Sequence, residues 1–174
     1  MLTINIMKIN CKAVFFVLTA VVFTVASLAI TPQDAWANRS FFKKLDGYWN
    51  GKGSIVFSGG QQETLKCRAT YFPSEGGRKL RQNIRCASPS YKITASSEYQ
   101  TKKGQVTGTW AETGFELTGD VTGRVKGSTL VLAVKGQTFS ADMSVTLKRC
   151  QKFIKIVPKG IDISLMSLNF RKQC

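Results

Sequence analysis

Histidine is absent from this sequence, which excludes Ser–His–Asp catalysis and the most common general base of enzymes. No two cysteines have the Cys-x-x-Cys spacing, so with no imidazole available a metal site is not expected. The glycine clusters join strand-like runs and do not open a helix, which argues against a phosphate-binding loop. We therefore expect a non-enzymatic protein with no catalytic residues, no metal and no cofactor. The alternative is a carboxylate pair formed by Glu112 and Glu116, which flank one predicted turn.

Acidic residues are also scarce. The chain has 10 Asp and Glu against 25 Lys and Arg, and its net charge is +15. Such an excess of positive charge favours polyanionic partners, among them anionic envelope components and acidic proteins.

The first 37 residues have the pattern of an export signal. Lys8 and Lys12 precede an almost unbroken apolar run over residues 13–30, and the stretch AWA at 35–37 fits a small-x-small cleavage site. We predict a cleaved signal peptide over 1–37 and one mature domain over 38–174, located in the periplasm or secreted. A retained membrane anchor is the alternative, although the polar stretch TPQD ends the apolar run before the cleavage site. We expect no transmembrane span in the mature form.

Strand-like periodicity covers almost all of the predicted mature region. Glycine-bearing breaks recur every few residues between alternating runs rich in Val, Ile, Thr, Phe and Tyr. This spacing predicts an all-β fold, an antiparallel up-and-down meander of about 8–10 strands closed into a barrel. A sandwich is the alternative, and we expect a monomer. The only helical signal before the first strand is one turn over residues 41–45.

A disulfide-stapled hairpin is predicted over residues 63–88. The stretch PSEGGR has turn chemistry, and pairing residues around it places Cys67 opposite Cys86 and Arg68 opposite Arg85. Like charges directly opposite each other destabilise a sheet. We predict that the outer face of this hairpin binds an anion or an acidic partner, and the alternative is that these side chains simply extend into water. The candidate binding residues are Lys66, Arg68, Arg78, Lys79, Arg81 and Arg85.

The other two mature cysteines suggest a second bond. Cys150 follows one long predicted strand and Cys174 is the last residue, so a bond between them would fasten the end of the chain. Two disulfides are typical of a small protein in an oxidising compartment. The other two connectivities stay open at this point.

The stretch LDGYWNGKGS at 45–54 contains Gly47-x-Trp49 at the start of the first long strand. This resembles the calycin superfamily, the lipocalins and related small barrels. The resemblance implies that Trp49 packs at one end of a barrel under a basic residue from the last strand, here Arg171. It also implies a ligand-binding barrel or an inhibitor and not a catalyst. LDGYW, LKCRATY and IRCAS together also resemble small exported proteins of α-proteobacteria.

Two kinds of binding follow from these observations. The first is docking on an anionic envelope component or an acidic partner protein through the basic hairpin face. The alternative is a small apolar ligand inside the barrel, and the competing interpretation of the same aromatic residues is that they fill a solid core. Nucleic acid is not expected, because it does not fit the compartment. The candidate lining residues are Trp49, Phe57, Tyr71, Trp110, Phe115 and Phe139.

Overall fold

A computed structural model describes residues 33–174, and the predicted signal peptide lies for the most part outside these residues. The described part begins with one α-helix, α1, at Gln33–Leu45. This helix is longer than the single turn predicted over residues 41–45. Within residues 33–174, no helix has the length and apolar character needed to span a bilayer.

Ten antiparallel strands follow the helix and close into a barrel, which confirms the predicted all-β meander. Each strand pairs with its neighbours in sequence, and β1 pairs with β10 to complete the closure. A short 3₁₀ turn at Glu75–Gly77 joins β2 and β3. The strands are β1 Gly47–Val56, β2 Gln62–Ser74, β3 Lys79–Ala87, β4 Lys92–Lys102, β5 Gln105–Glu112, β6 Leu117–Lys126, β7 Thr129–Gly136, β8 Ser140–Lys148, β9 Gln151–Lys159 and β10 Leu165–Arg171.

The two ends of the barrel differ. Helix α1 packs against the end where β1 begins and β2 ends, which we call the helix end, and its Phe41, Phe42 and Leu45 are buried there. Inward-facing apolar side chains near this end are buried. At the opposite end, which we call the far end, several inward-facing apolar side chains are only half-buried. They are Phe57, Ile84, Ile93, Trp110, Val134, Met143, Ile156, Ile163 and Met166.

Glycine explains one error in a predicted strand boundary. The sequence predicts a strand over 115–122 that ends at a break at Gly123, but β6 continues through this glycine to Lys126. Gly123 faces inward opposite Leu132, and an added Cβ would lie 2.8 Å from a methyl carbon of Leu132. This glycine therefore makes room for a core side chain inside a strand and does not form a turn.

Both predicted disulfides are present. Cys67 is bonded to Cys86, and Cys150 is bonded to Cys174. The second bond joins the turn between β8 and β9 to the residues after β10. The backbone N–H of Lys172 also donates to the carbonyl oxygen of Cys150 at 3.1 Å, so the chain after β10 is fastened at two points.

Candidate functional site

The predicted basic hairpin forms with the register expected from its sequence. Cys67 on β2 lies opposite Cys86 on β3, and Arg68 lies opposite Arg85. The two cysteines are buried on the inner face, while the two arginines are exposed on the outer face. The disulfide therefore fastens the two strands directly beneath a pair of like charges.

Three of the six predicted binding cations already have partners. Arg78 and Lys79 both form ion pairs with Glu75, with N–O distances of 3.5 and 2.7 Å. The guanidinium of Arg81 lies over the ring of Phe72, 4.9 Å from its centre. These contacts leave the other three cations of the hairpin as the ones available to an external anion.

A cation on the neighbouring strand joins those three. Lys52 on β1 lies directly opposite Lys66 on β2. Lys66 and Arg68 face outward two positions apart, a distance of about 7 Å along a strand. We call Lys52, Lys66, Arg68 and Arg85 the cation cluster. Within residues 33–174 none of the four forms an ion pair.

The strands around this cluster have an uneven charge distribution. Along the adjacent strands β9, β10, β1, β2 and β3, no outward-facing position holds Asp or Glu. We call the outward-facing residues of these five strands the basic face. At its edges Lys79 and Lys159 are neutralised, the first by Glu75 and the second by Asp142 at 2.8 Å. The uncompensated positive charge therefore lies at the centre. The Lys and Arg residues of the face are Lys52, Lys66, Arg68, Lys79, Arg81, Arg85, Lys155, Lys159 and Arg171.

Sequence reasoning identified Lys66 but missed Lys52. The signal was incomplete, although the turn at Gly59-Gly60 joins β1 to β2 as PSEGGR joins β2 to β3. The observed pairing is centred on Gly59 and places Lys52 opposite Lys66, whereas pairing around the midpoint of the two glycines, as for PSEGGR, would place Lys52 opposite Cys67. The contribution of β9 and β10 had no such signal, because β10 reaches β1 only through barrel closure.

The six predicted lining residues do not form one group. Trp49 and Tyr71 are fully buried at the helix end, with ring centres 6.5 Å apart. Phe57 lies at the far end, and its ring centre is 5.4 Å from that of Tyr91. Trp110 and Phe139 pack together nearby at 5.5 Å. Phe115 lies in the turn between β5 and β6 and is 56% exposed, so it does not line the interior.

The basic partner of Trp49 is not the residue that the sequence predicted. Arg171 is exposed on the outer face, opposite Asn50, because it lies at an outward position of β10. Two lysines take its place. The Nζ atom of Lys152 on β9 lies 4.7 Å from the centre of the Trp49 ring, and that of Lys172 lies 4.9 Å away.

Lys152 is fully buried in an aromatic cage. Its amine lies 3.8 Å from the ring centre of Tyr71 and 4.2 Å from that of Phe170, and it donates a hydrogen bond to the Tyr71 hydroxyl. Burial, and to a smaller extent the charge of Lys172, lower the pKa of Lys152 to about 6. The ring faces act in the opposite direction, because they favour the charged ammonium. The site closes the helix end of the barrel.

Glu112 has a structural role that differs from the catalytic pair considered above. Its carboxylate accepts hydrogen bonds from the backbone N–H groups of Thr94 and Phe115, at 2.8 and 2.7 Å. Burial raises the pKa of this carboxyl, but backbone donation from Thr94, Phe115 and Gly114 lowers it below its usual value. Glu116 is exposed in the turn. Glu112 therefore organises the turn between β5 and β6 as a carboxylate.

Comparisons with known proteins establish the fold. No protein-family model matches the sequence, and no curated protein matches it. The S-type phycobiliprotein lyase CPES from Guillardia theta is similar in structure, with a TM-score of 0.59 and 13% identity over 81% of this chain and 98% of that chain. Rv2717c from M. tuberculosis has a TM-score of 0.63 and 13% identity over 79% and 98%. These likenesses, at 13% identity, agree with the closed barrel of this chain and support the barrel fold implied by Gly47-x-Trp49.

The expectation of a non-enzymatic protein is contradicted by one of these structures. It rested on the missing histidine and on the usual role of lipocalin-like barrels. However, the Guillardia theta protein is described as a lyase and has the same fold. The absence of histidine excludes histidine-dependent mechanisms, but the fold by itself does not exclude catalysis.

Proposed function

We propose that this protein binds a phosphate- or carboxylate-bearing component of the cell envelope through the cation cluster. One observation carries the proposal. Two like-charge pairs lie side by side in the register, Lys52 opposite Lys66 and Arg68 opposite Arg85, on a face without carboxylates. Each like-charge pair costs the sheet up to about 1 kcal/mol. A bound anion would relieve that repulsion, and arginine can hold phosphate or carboxylate through two parallel hydrogen bonds.

The disulfide bonds support both the proposed binding site and the predicted export of the protein. The bond between Cys67 and Cys86 lies beneath the cluster and holds its two strands together against the repulsion above them. Such bonds persist in oxidising compartments, in agreement with the predicted signal peptide. An exported protein with a cationic surface would meet anionic lipid head groups and acidic polymers, or the acidic face of another exported protein.

The test uses a matched pair of double variants. Lys66→Gln with Arg68→Gln removes two charges from the cluster on β2. Arg124→Gln with Lys126→Gln removes the same two residue types, also two positions apart on an outward strand face, from β6. Binding is measured by co-sedimentation with phosphatidylglycerol-containing vesicles and by retention on immobilised heparin, which separates a lipid surface from a soluble polyanion.

We expect the β2 variant to lose most of its binding in at least one of these assays and the β6 variant to keep it. Binding by the wild type should weaken as salt screens the exposed charges. Equal losses in both variants would show that net charge alone drives retention, and the proposal would then be wrong. If the wild-type protein binds neither vesicles nor heparin but captures an acidic protein, the partner is an acidic protein and not an envelope lipid or polymer.

A second function, the binding of a small apolar ligand, is supported by the far end of the barrel. There, several inward-facing apolar side chains remain half-buried, whereas those at the helix end are buried. Apolar side chains left partly exposed at the mouth of a barrel are typical of ligand sites. The fold shared with ligand-binding barrels also favours it.

Native mass spectrometry of the purified protein tests this second function. A retained apolar molecule, released on unfolding, is the expected result. Met143→Arg would place a charge among the half-buried residues of the far end and should abolish retention, whereas Thr146→Arg on the outer face of the same strand should not. A mass without any adduct, together with no binding of 8-anilinonaphthalene-1-sulfonate, would exclude this function.

A further inference from the structure

A groove crosses the outer surface of strands β2 to β7, beside the cation cluster. It consists of two clefts of about 560 and 790 Å³. The clefts share Arg81, Glu98 and Thr109, so they form one continuous depression. It extends from Phe72 on β2 to Lys135 on β7, which is about 24 Å along the curved surface of the sheet at the usual spacing between strands.

Inward-facing glycines explain why a barrel surface, normally convex, is depressed here. Gly108 on β5 and Gly119 on β6 line the floor of the groove with their backbones. An added Cβ at Gly108 would lie 3.0 Å from the Tyr99 ring, and one at Gly119 would lie 2.7 Å from Nε1 of Trp110. The sheet therefore lies close to its own core aromatics at these positions, which requires residues without side chains.

The lining of the groove is polar and balanced in charge. Arg81 lies opposite Glu98, and Asp120 lies opposite Lys135, with Thr109 between the two acidic residues. No ion pair within residues 33–174 involves any of these four charged side chains. Hydroxyl and amide groups complete the lining, from Ser74, Ser96, Thr118, Gln100 and Gln137.

The geometry points to an oligosaccharide as the ligand of this groove. Each sugar hydroxyl both donates and accepts hydrogen bonds, and the groove offers cations, carboxylates and hydroxyls in alternation along its length. Phe72 is 40% exposed at one end; Arg81 lies over its ring, and the exposed remainder of the ring offers an apolar surface against which a sugar ring can pack. The site lies outside the barrel and is independent of the anion binding proposed above.

Other ligand classes fit the groove less well. The two carboxylates would repel a polyanion, which is better served by the basic face. An apolar ligand would leave the exposed charges without water. An extended peptide that adds a strand needs a free sheet edge, and the closed barrel formed by β1 to β10 provides none.

The experiment titrates the wild-type protein with cellotetraose, maltotetraose and the tetramer of N-acetylglucosamine. Affinity is measured by calorimetry, and ¹⁵N NMR shifts locate the site. Thr109→Trp fills the point where the two clefts meet, and Thr122→Trp makes the same change at an exposed outward position of β6 outside the groove.

We expect saturable binding of at least one tetrasaccharide at millimolar or lower concentration, with shifts at Glu98, Thr109 and Asp120. Thr109→Trp should weaken it by roughly tenfold or more, equivalent to about 1.4 kcal/mol, and Thr122→Trp should leave it unchanged. Binding by none of the three sugars would overturn the inference, as would shifts confined to the far end. The Lys66→Gln and Arg68→Gln variant should keep its sugar affinity, so failure of one proposal does not imply failure of the other.

Discussion

The buried amine of Lys152 has a measurable consequence for the pH dependence of stability. Burial, and to a smaller extent Lys172, lower the pKa of Lys152 from 10.5 to about 6 in the folded protein. In the unfolded chain the amine returns to its ordinary value. Between these two pH values the unfolded chain therefore binds a proton that the folded chain does not, and the free energy of unfolding rises with pH. The destabilisation is complete below pH 6 and disappears as the pH approaches 10.5.

The magnitude follows from this linkage. One proton difference changes the free energy of unfolding by about 1.4 kcal/mol per pH unit, so about 3 kcal/mol separates pH 6.5 from pH 9. The window is favourable because the chain has no histidine, and carboxylates are already ionised throughout it. Burial also raises the pKa of Tyr71. Loss of the Tyr71 proton, which would make the free energy of unfolding decrease with pH, therefore occurs only above this window.

Urea unfolding at several pH values measures this slope. Lys152→Met keeps an unbranched side chain without the amine and should flatten the profile, with the largest gain in stability at pH 6.5. The matched control is Lys155→Met, the same change at an exposed position of β9, which should keep the wild-type slope. A slope that survives in Lys152→Met would refute the reasoning. A flat wild-type profile would refute it too, because it would mean that the three aromatic rings hold the amine protonated.

Three further predictions concern stability. Replacing Cys67 and Cys86 together by alanine opens a loop with a sequence separation of 19 and should lower the free energy of unfolding by about 3 kcal/mol, measured by urea unfolding under oxidising conditions. Glu112→Gln removes the charge that accepts two backbone N–H groups and should cost about 1–3 kcal/mol at pH 7, with little loss at a pH low enough to protonate the wild-type carboxyl. Gly53→Ala would place a Cβ 2.6 Å from a methyl carbon of Leu168 and against the carbonyl of Ser167, so thermal unfolding should show a loss of about 1–3 kcal/mol or more. A stability equal to that of the wild type in any of the three would contradict the corresponding contact.

The local pairing of neighbouring strands was predictable from the sequence. The turn PSEGGR determines the register of β2 and β3, because a short turn leaves few ways to align the strands that it joins. That register was enough to place Cys67 opposite Cys86 and Arg68 opposite Arg85. The same reasoning at Gly59-Gly60 would have been wrong by one residue, because the pairing of β1 with β2 is centred on Gly59 and not between the two glycines.

The lipocalin-like resemblance gave the correct role to Trp49 and the wrong partner. Two positions near the end of the chain were basic, and the choice between Arg171 and Lys172 depended on which one faced the Trp49 ring. Lys152 was missed entirely, because an alternating run with a lysine at an inward position gives no sign that the lysine is buried. Only packing against Tyr71 and Phe170 shows that it is.

The sequence by itself determined the strand content, the meander and the register that places Cys67 opposite Cys86, since alternation, turns and neighbouring pairs are properties of short stretches of chain. Only the tertiary structure decided which cations share one face, because β10 meets β1 through closure of the whole barrel. It also decided that glycines distant in the chain bring the sheet close to its core and form a groove. Contacts between residues far apart in sequence depend on how ten strands curve together, and no short stretch of the chain records that curvature.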